Sequence, residues 1–578
     1  MSQEQGSARR TPRAWWQDGL FVVALLLACG KMLHGIEQVL DLAMFDEAMY
    51  LRRGVNLLQV GLPTAEWGPL YPLWYHLLSR LQPEPVALYY LSYKLLSFLA
   101  VLGTYALARR GSARPWLAFL AAATCLLSMV PHVTPRPALL ALGVLLAVLL
   151  VATFLTSLEG FLALVGSGFV LVAYARPEYT VSALAFLGLL LLVLVWRAFQ
   201  AGRVHVPALG WAVLPGLVAL VLLLSLGNPL QDTTGRRFYA FCQHFSFNYA
   251  ARTPISWHPW NDCERSIQAA FGEVSSVTEA ARSNPRELLA HLGRNLWLYP
   301  TTSVRMFVTG LGGFESLKDR VWWLGLGRWL FLALAGWQLV WLGRRRESLR
   351  QVLSDSSARR MGLVLGAVVL PVILSSVLYF PRAHYLVIQS VVGVAFLALL
   401  TSRVREQGEE TPLRPVACVG LALGLVLLTP DLGAGHLVPA RAPASQASTP
   451  GGTPHLSTVR FLRSVGGERV LKPGETLQVL DAQGGYSAYL GAPFQWVPQM
   501  RKDRPFLQYV HEKHVDFIVL DEALRKDLRF AGDEEFVSFL AEPEAYGFSV
   551  RPIPGTRSTL AIRDVQGALE RDVARSRP

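Results

Sequence analysis

The chain has 578 residues, of which 52% are hydrophobic and only 16% are charged, yet its formal net charge is +13. A soluble protein has charged side chains at about a quarter of its positions. The composition therefore excludes a disordered chain, a collagen-like fibre and a simple soluble enzyme. A basic charge alone does not indicate nucleic acid, and we expect no nucleic-acid partner. The class that remains is a polytopic membrane protein.

Eleven apolar segments are candidate membrane spans, which take roughly 17–25 residues each, and the segment at 160–175 is short for a span. The first has an arginine-rich flank like that of a signal peptide, but no convincing cleavage site follows, so we interpret it as a retained span. The prediction is an α-helical polytopic membrane protein of about 11 transmembrane helices with a small C-terminal α/β extracytoplasmic domain. The segments lie near 18–38, 87–108, 115–132, 138–156, 160–175, 179–196, 208–227, 321–342, 361–379, 384–400 and 414–430.

The arginines indicate the orientation of the chain in the membrane. Basic clusters concentrate in the loops on the side of the N-terminus, and such an excess marks the cytoplasmic side. We therefore predict a cytoplasmic N-terminus and a C-terminal domain in the periplasm or outside the cell, in a bacterial inner (plasma) membrane. The clusters comprise Arg9, Arg10, Arg13, Arg109, Arg110, Arg114, Arg197, Arg203, Arg344, Arg345, Arg346, Arg350, Arg359, Arg360, Arg403 and Arg405.

Three regions follow one another along the chain. Residues 1–430 form the membrane domain, with a first outer loop at 39–86 and a long outer loop at 228–320. Residues 431–454 are rich in Pro, Ala, Ser and Gly and are predicted to be a linker. Residues 455–578 are predicted to be the α/β domain, with strand-like runs at 477–480 and 517–520 and a hairpin within 548–562.

The long outer loop has two features of its own. Residues 286–299 carry leucines at helical spacing, which predicts an amphipathic helix, either on the membrane surface or packed within the loop. Cys242 and Cys263 both lie in this loop, and on an oxidising side of the membrane they could form a disulfide. Sequence alone does not give the geometry that this bond requires.

The main candidate for catalysis is the segment 45–54, just after the first span. It contains two adjacent carboxylates, Asp46 and Glu47. On a helix, Asp46, Tyr50 and Arg53 would share a face. Taken alone, such a pair also suits an ordinary solvated helix start, where carboxylates are stabilised by the helix dipole.

Four short motifs together resemble the GT-C superfamily of membrane glycosyltransferases, which use polyprenyl-phosphate-linked sugars. The superfamily includes protein O-mannosyltransferases, lipid A aminoarabinose transferases and enzymes that glycosylate lipopolysaccharide cores. The motifs are Asp46-Glu47 with Tyr50 and Arg52 or Arg53, Gly68-Pro69-Leu70-Tyr71, Arg176-Pro177-Glu178, and Pro381-Arg382-Ala383-His384-Tyr385.

The resemblance implies an inverting sugar transfer at the outer membrane face. The donor would be a polyprenyl-phosphate-linked sugar, the acceptor a glycan, lipid or protein, and membrane lipids would surround the enzyme. Asp46, beside Glu47, would act as general base. The phosphate leaving group needs cations rather than a general acid. The paired carboxylates of a glycosidase are therefore not required.

Several side chains are candidates for binding the donor or its phosphate. Lys94 lies within the second span, where a charge is costly, although it could also extend to the interface. Each arginine could equally be an ordinary interfacial residue. The full set is Tyr50, Arg52, Arg53, Lys94, Arg136, Arg176, Glu178, Arg382, His384 and Tyr385.

The sequence departs from the superfamily at one point, because the turn at 131–137 lacks the acidic residue that many relatives carry there. Glu178, Asp262 or Glu264 could substitute for it. We expect no obligatory metal: a divalent ion is possible but not favoured, since Asp46 and Glu47 point to different helix faces. Other functions stay open: a transporter or flippase of lipid-linked sugars, an O-antigen ligase or polymerase, or a structural assembly component.

Overall fold

The computed structural model describes residues 12–111, 113–201, 206–232, 235–308, 322–406, 413–433, 453–469, 471–482, 484–497, 504–527, 530 and 532–564. Arg9, Arg10, Arg203 and most of the predicted linker at 431–454 lie outside these residues, as do the side chains of Arg13 and Arg405.

Helices make up nearly all the regular structure before residue 430. The start signals are visible in the sequence: proline is the first residue of the helices that begin at 85, 115, 137 and 415, where its missing N–H costs no hydrogen bond. The helices are α1 (Pro12–Leu33), α2 (Asp46–Val55), α3 (Leu57–Val60), α4 (Leu70–Ser79), α5 (Pro85–Arg110), α6 (Pro115–Leu126), α7 (Pro137–Ala152), α8 (Leu158–Ala173), α9 (Thr180–Ala201), α10 (Val206–Leu226), α11 (Arg236–Ala250), α12 (Cys263–Phe271), α13 (Val277–Ser283), α14 (Pro285–Val308), α15 (Trp322–Arg344), α16 (Arg346–Ser354), α17 (Ser356–Leu378), α18 (Ala383–Glu406) and α19 (Pro415–Leu428).

Each of the eleven predicted apolar segments overlaps one of these helices. Among the described residues, six helical stretches are long and apolar enough to be membrane spans, and four apolar helices are shorter. The number of helices that cross the bilayer stays a prediction. The six stretches are Trp15–Gln38, Pro85–Arg110, Pro115–His132, Pro177–Gln200, Ser356–Leu378 and Ala383–Val404.

The C-terminal region folds around a five-stranded sheet in the order β2-β1-β3-β5-β4. Strand β1 is parallel to β2 and β3, whereas β5 is antiparallel to β3 and β4. The predicted fold class, a polytopic helical membrane protein with a small C-terminal α/β domain, is confirmed. The elements are α20 (Pro454–Gly467), β1 (Leu477–Leu480), α21 (Tyr486–Leu490), β2 (Phe494–Trp496), α22 (Phe506–Glu512), β3 (Phe517–Leu520), α23 (Glu522–Arg525), α24 (Glu534–Ala541), β4 (Phe548–Pro552) and β5 (Thr559–Arg563).

Two compact units make up the chain. Unit 1 comprises Met1–His34, Pro63–Leu70 and Lys94–Asp431. Unit 2 comprises Gly35–Leu62, Tyr71–Tyr93 and Leu432–Pro578. Most of the first outer loop therefore belongs to the same unit as the C-terminal sheet.

The long outer loop of unit 1 has its own apolar core, built from α11 to α14. The sulfurs of Cys242 and Cys263 are 2.17 Å apart and form a disulfide between α11 and α12. The predicted helix at 286–299 lies within the longer α14. One face of α14 buries His291 and Asn295, while Trp297 is 76% exposed on another face. Packing within the loop therefore does not account for all the apolar residues of this helix.

Candidate functional site

The predicted catalytic segment opens helix α2 in unit 2. Asp46 is the first helical residue, and the preceding Phe45 has a φ of 57°, a left-handed conformation that bulky side chains rarely adopt. The Asp46 side chain is exposed and makes no hydrogen bond or ion pair with the described part of the chain. The helix N-terminus stabilises this negative charge. The carboxylate oxygens are therefore open to solvent.

Glu47 has the opposite surroundings, with only 1% of its surface exposed. Its Oε1 accepts hydrogen bonds from the hydroxyls of Tyr71 and Tyr75, each at 2.5 Å. Burial raises the pKa of Tyr75 well above its ordinary value, and the charge of Glu47 raises it further. Both hydroxyls donate, and Glu47 is a fixed acceptor between α2 and α4.

The remaining predicted residues of α2 pack within unit 2. The Tyr50 ring meets the Tyr71 ring edge-on, with centroids 5.3 Å apart. The Arg52 guanidinium carbon lies 4.6 Å from the centre of the Trp496 ring. Burial lowers the pKa of Arg52, and the neighbouring charge of Arg53 lowers it further. Arg53 itself is half-buried.

A second group of predicted residues lies in unit 1, where the chain breaks between α8 and α9. Arg176 donates through Nε to Glu178 Oε1 at 2.8 Å and through Nη2 to the same oxygen. Burial alone would lower the pKa of Arg176, but the Glu178 carboxylate and Tyr385 raise it more, so the net shift is upward. Arg176 is therefore a permanent, largely buried cation.

The Gly-Pro turn of the first outer loop packs against this break. The Leu70 N–H donates to the carbonyl of Tyr174 at 3.1 Å. A Cβ at Gly68, whose φ is 67°, would come within 2.5 Å of the Ala175 carbonyl oxygen. Only glycine suits both the conformation and the close approach. Two motifs far apart in the sequence therefore meet beside Arg176.

Three more predicted residues, at the start of α18, lie near Arg176. The guanidinium carbon of Arg176 lies 5.0 Å from the centre of the Tyr385 ring, and the His384 and Tyr385 rings are 4.4 Å apart. Arg382 is close enough to His384 to affect it electrostatically, as is Arg176. We call Arg176, Glu178, Arg382, His384 and Tyr385 the arginine cluster.

Side chains of the long outer loop adjoin the arginine cluster. The guanidinium carbon of Arg382 lies 4.9 Å from the centre of the Trp260 ring, and the ring of His244 lies 5.7 Å from the same tryptophan. His244 Nδ1 lies 2.5 Å from the Ala240 carbonyl oxygen. A carbonyl only accepts, so Nδ1 carries the proton and Nε2 of the neutral ring is an acceptor.

The acceptor on His244 is buried and has no donor among the described residues. Burial lowers the pKa of His244 to about 4, and the charge of Arg382 contributes to this shift. The ring is therefore neutral at physiological pH. A buried acceptor without a donor is costly, so this atom suits the hydroxyl of a bound molecule.

Two predicted cations occupy other positions in unit 1. Lys94 is half-buried within α5. Arg136 is fully buried, and its Nη2 donates to the carbonyl of Pro131 at 3.2 Å, which ties the guanidinium to its own turn. The structure thus brings together five of the predicted residues as the arginine cluster and places another five, Asp46, Glu47, Tyr50, Arg52 and Arg53, on α2 in unit 2.

Sequence reasoning missed several of these site residues. Tyr71 was identified only as the end of the Gly68-Pro69-Leu70-Tyr71 motif, and Tyr75, four residues later on the same helix face, could have been recognised as a second donor. Arg236, whose guanidinium carbon lies 3.6 Å from the Trp67 ring centre and whose Nη1 donates to the Glu66 carbonyl at 3.1 Å, gave no such signal. In the sequence it is indistinguishable from its exposed neighbour Arg237.

One group of metal-type ligands is found among the described residues, namely Cys242, Cys263 and Glu264. The two sulfurs are joined as a disulfide. A thiolate is the form of cysteine that binds metal, and these sulfurs cannot supply it. Nothing in this group therefore indicates a metal centre.

The chain is similar to solved structures at low sequence identity. No known family profile matches the chain, and no curated protein matches it. It is similar to the oligosaccharyltransferase AglB from Archaeoglobus fulgidus, solved with an inhibitory peptide and a dolichol-phosphate, with 14% identity, a TM-score of 0.41, and coverage of 96% of this chain and 75% of that one.

The chain is also similar to ArnT from Cupriavidus metallidurans bound to undecaprenyl phosphate, with 13% identity, a TM-score of 0.36, and coverage of 95% of this chain and 98% of that one. The fold and the site define a polytopic membrane protein with an exposed carboxylate at the start of α2 and an arginine cluster in which Arg176 and His384 are buried.

Proposed function

We propose that the protein is an inverting glycosyltransferase. It moves a sugar from a polyprenyl-phosphate carrier to a hydroxyl-bearing glycan, lipid or protein at the outer face of the membrane. In this proposal Asp46 is the general base. The arginine cluster, together with Arg236, binds the phosphate of the lipid carrier.

The observation that carries the proposal is the contrast between the two adjacent carboxylates. A general base must be free to accept a proton from the attacking group. Asp46 is exposed and unbonded within the described residues, whereas Glu47 is buried under two tyrosine hydroxyls. Asp46 is thus the member of the pair that suits proton transfer, and Glu47 fixes the helix that carries it.

The arginines and His244 support the second half of the proposal. Arginines that are partly removed from water bind phosphate more strongly than exposed ones. Arg176 already has Glu178 as its partner. Arg236, by contrast, has no carboxylate partner among the described side chains, and it stacks on Trp67. The buried acceptor on His244 suits a sugar hydroxyl.

The proposed reaction is a single displacement. The acceptor oxygen forms a bond to the anomeric carbon, and the bond from that carbon to the phosphate oxygen breaks. The acceptor proton passes to Asp46, and polyprenyl phosphate leaves with the bonding electron pair. Attack opposite the leaving group inverts the anomeric configuration. Arginine charge stabilises the phosphate as it leaves, so the reaction needs neither a general acid nor a metal ion.

The test is the purified Asp46→Asn variant, assayed for transfer from a polyprenyl-phosphate sugar. We expect a loss of at least about 100-fold in kcat, since positioned general bases contribute about 10²–10⁴-fold. Expression and the apparent melting temperature should stay near those of the wild type, because the Asp46 side chain has no partner to lose among the described residues.

The matched control is Glu544→Gln, which removes an equally exposed carboxylate from the C-terminal domain. It should leave transfer unchanged. Near-normal transfer by Asp46→Asn would refute the assignment of the base. Movement of a labelled lipid-linked sugar across the bilayer of reconstituted vesicles, without transfer of the sugar to an acceptor, would favour a flippase instead.

A further inference from the structure

The segment that leads into the proposed base is irregular but tightly held. Residues 40–45, which precede α2, form no helix or strand. Three of their carbonyls nevertheless have tyrosine partners, and the longest of these bonds joins the Tyr89 hydroxyl to the Asp41 carbonyl at 3.4 Å. Leu40 accepts from the Tyr90 hydroxyl at 2.7 Å, and Ala43 accepts from the Tyr489 hydroxyl at 2.5 Å. Tyr489 belongs to α21 of the C-terminal domain and is completely buried.

Asp41 makes a second connection to the same domain. Its carboxylate accepts the backbone N–H groups of His455 and Leu456, each at 2.9 Å, at the start of α20. The first N–H groups of a helix have no partner within the helix, and a carboxylate both satisfies them and offsets the helix dipole. Asp41 therefore caps a helix that follows it by more than 400 residues.

Met44 and Phe45 show how closely this segment is fitted. A Cβ at Gly485 would come within 2.4 Å of the Met44 sulfur, so the contact exists because residue 485 is glycine. Phe45, directly before Asp46, has a φ of 57°. A strained conformation of this kind persists only where the surrounding contacts enforce it, and it is typical of functional sites.

From these contacts we propose that the C-terminal domain positions the general base, with Asp41 and Tyr489 as positioning residues. This inference rests on the proposed function, in which Asp46 is that base. The domain holds residues 40–45 through the Asp41 cap and the Tyr489 hydroxyl, and the held segment sets the first turn of α2. The domain thus contributes to the chemical step without touching the substrate.

The experiment compares Asp41→Ala, Asp41→Asn and Tyr489→Phe with the wild-type full-length protein. We expect kcat to fall by about 10- to 100-fold in Asp41→Ala, the range that a small misplacement of a catalytic group produces. KM for donor and acceptor should stay within about twofold, because no binding contact is removed. Asp41→Asn keeps one acceptor oxygen and should retain more activity than Asp41→Ala.

Tyr489→Phe removes one hydroxyl and keeps the ring. It should lower kcat in the same way as Asp41→Ala, though by less. Amide hydrogen exchange gives a readout independent of activity: peptides covering residues 40–50 should exchange faster in all three variants, while those of the β1–β5 sheet stay protected.

The matched control is Asp533→Ala. Asp533 caps α24 inside the C-terminal domain by accepting from Glu535 at 3.0 Å and Phe536 at 3.2 Å. This variant should lose similar stability without a change in kcat. The proposal is overturned if Asp41→Ala and Tyr489→Phe lower stability but leave kcat unchanged, or if exchange at 40–50 does not change.

The proposed function fails in a different way from this inference. Faster exchange at residues 40–50 in the Asp41 variants, combined with near-normal transfer by Asp46→Asn, would refute Asp46 as the base. The faster exchange would still support the inference that the C-terminal domain fixes this segment.

Discussion

At the level of single residues, adjacent charged side chains that look alike in the sequence have different surroundings in the structure. Asp46 and Glu47 are neighbours, yet one is exposed and the other is 1% exposed. Arg236 and Arg237 are also neighbours, yet Arg236 stacks on Trp67 while Arg237 is exposed. Such pairs provide matched variants in which only the surroundings of the charge differ.

The arginines proposed to bind phosphate give the first prediction about single residues. We expect Arg236→Gln and Arg382→Gln to weaken binding of polyprenyl phosphate by about 10- to 100-fold, since a hydrogen bond to a charged group contributes about 1.5–3 kcal/mol. Binding can be measured by titrating the lipid phosphate onto the purified protein. Arg237→Gln should bind as the wild type does. Equal losses in Arg236→Gln and Arg237→Gln would indicate a general charge effect instead of a site.

Two buried histidines give a prediction about pH. Burial lowers the pKa values of His244 and His291 to about 4, from about 6.5 in an unfolded chain. His291 accepts from Asn248 through Nδ1 at 2.9 Å, and its Nε2 lies 3.0 Å from the Leu378 carbonyl, which fixes the neutral ring. Protonation would break this arrangement.

Because the unfolded chain takes up these protons first, stability should fall as pH drops from about 6.5 toward 4, and the two groups should have no effect above that range. The loss amounts to about 3 kcal/mol per histidine, from 1.36 kcal/mol per pKa unit. The apparent melting temperature of His291→Asn should depend less on pH than that of the wild type. His511→Gln, an exposed control, should follow the wild type. Equal pH slopes in all three proteins would contradict this prediction.

Among the elements, the hydrogen bonds between α2 and α4 hold the helix that carries Asp46. Glu47→Gln keeps an acceptor oxygen for Tyr71 and Tyr75, so we expect little change in stability. Glu47→Ala leaves two buried hydroxyls without this acceptor and should cost about 2–4 kcal/mol, which melting of the purified protein in detergent would register. If the two variants melted alike, the tyrosine hydrogen bonds would contribute nothing.

The helices and strands also show which elements could be predicted from the sequence. Strands β1 and β3 and the β4–β5 hairpin were predictable because continuous apolar runs and a Pro-Gly turn mark them. Strand β2 was not predicted, since it has three residues at the sheet edge and none of them is fully buried. Helix α14 extends nine residues beyond its predicted end at Tyr299, and the proline at 300 lies inside it.

For the whole molecule, apolar runs predicted the helices, and short motifs provided the candidate residues of α2 and of the arginine cluster, whose roles stay predictions. The grouping of the first outer loop with the C-terminal sheet could not be predicted. It depends on single polar atoms, such as the Asp41 carboxylate at the start of α20, between residues more than 400 positions apart. A contact of this kind produces no periodic pattern in the sequence. The orientation in the membrane likewise stays a prediction from the arginines.

The central claim is that this protein transfers a sugar from a polyprenyl-phosphate carrier with Asp46 as the base. It is tested most directly by mass spectrometry of polyprenyl-linked sugars and envelope glycans in cells that lack the protein, complemented with either the wild type or Asp46→Asn. We predict that one polyprenyl-phosphate sugar accumulates and one glycan or protein loses that sugar, and that only the wild type reverses both changes. Unchanged pools in the deletion strain, or full restoration by Asp46→Asn, would contradict the claim.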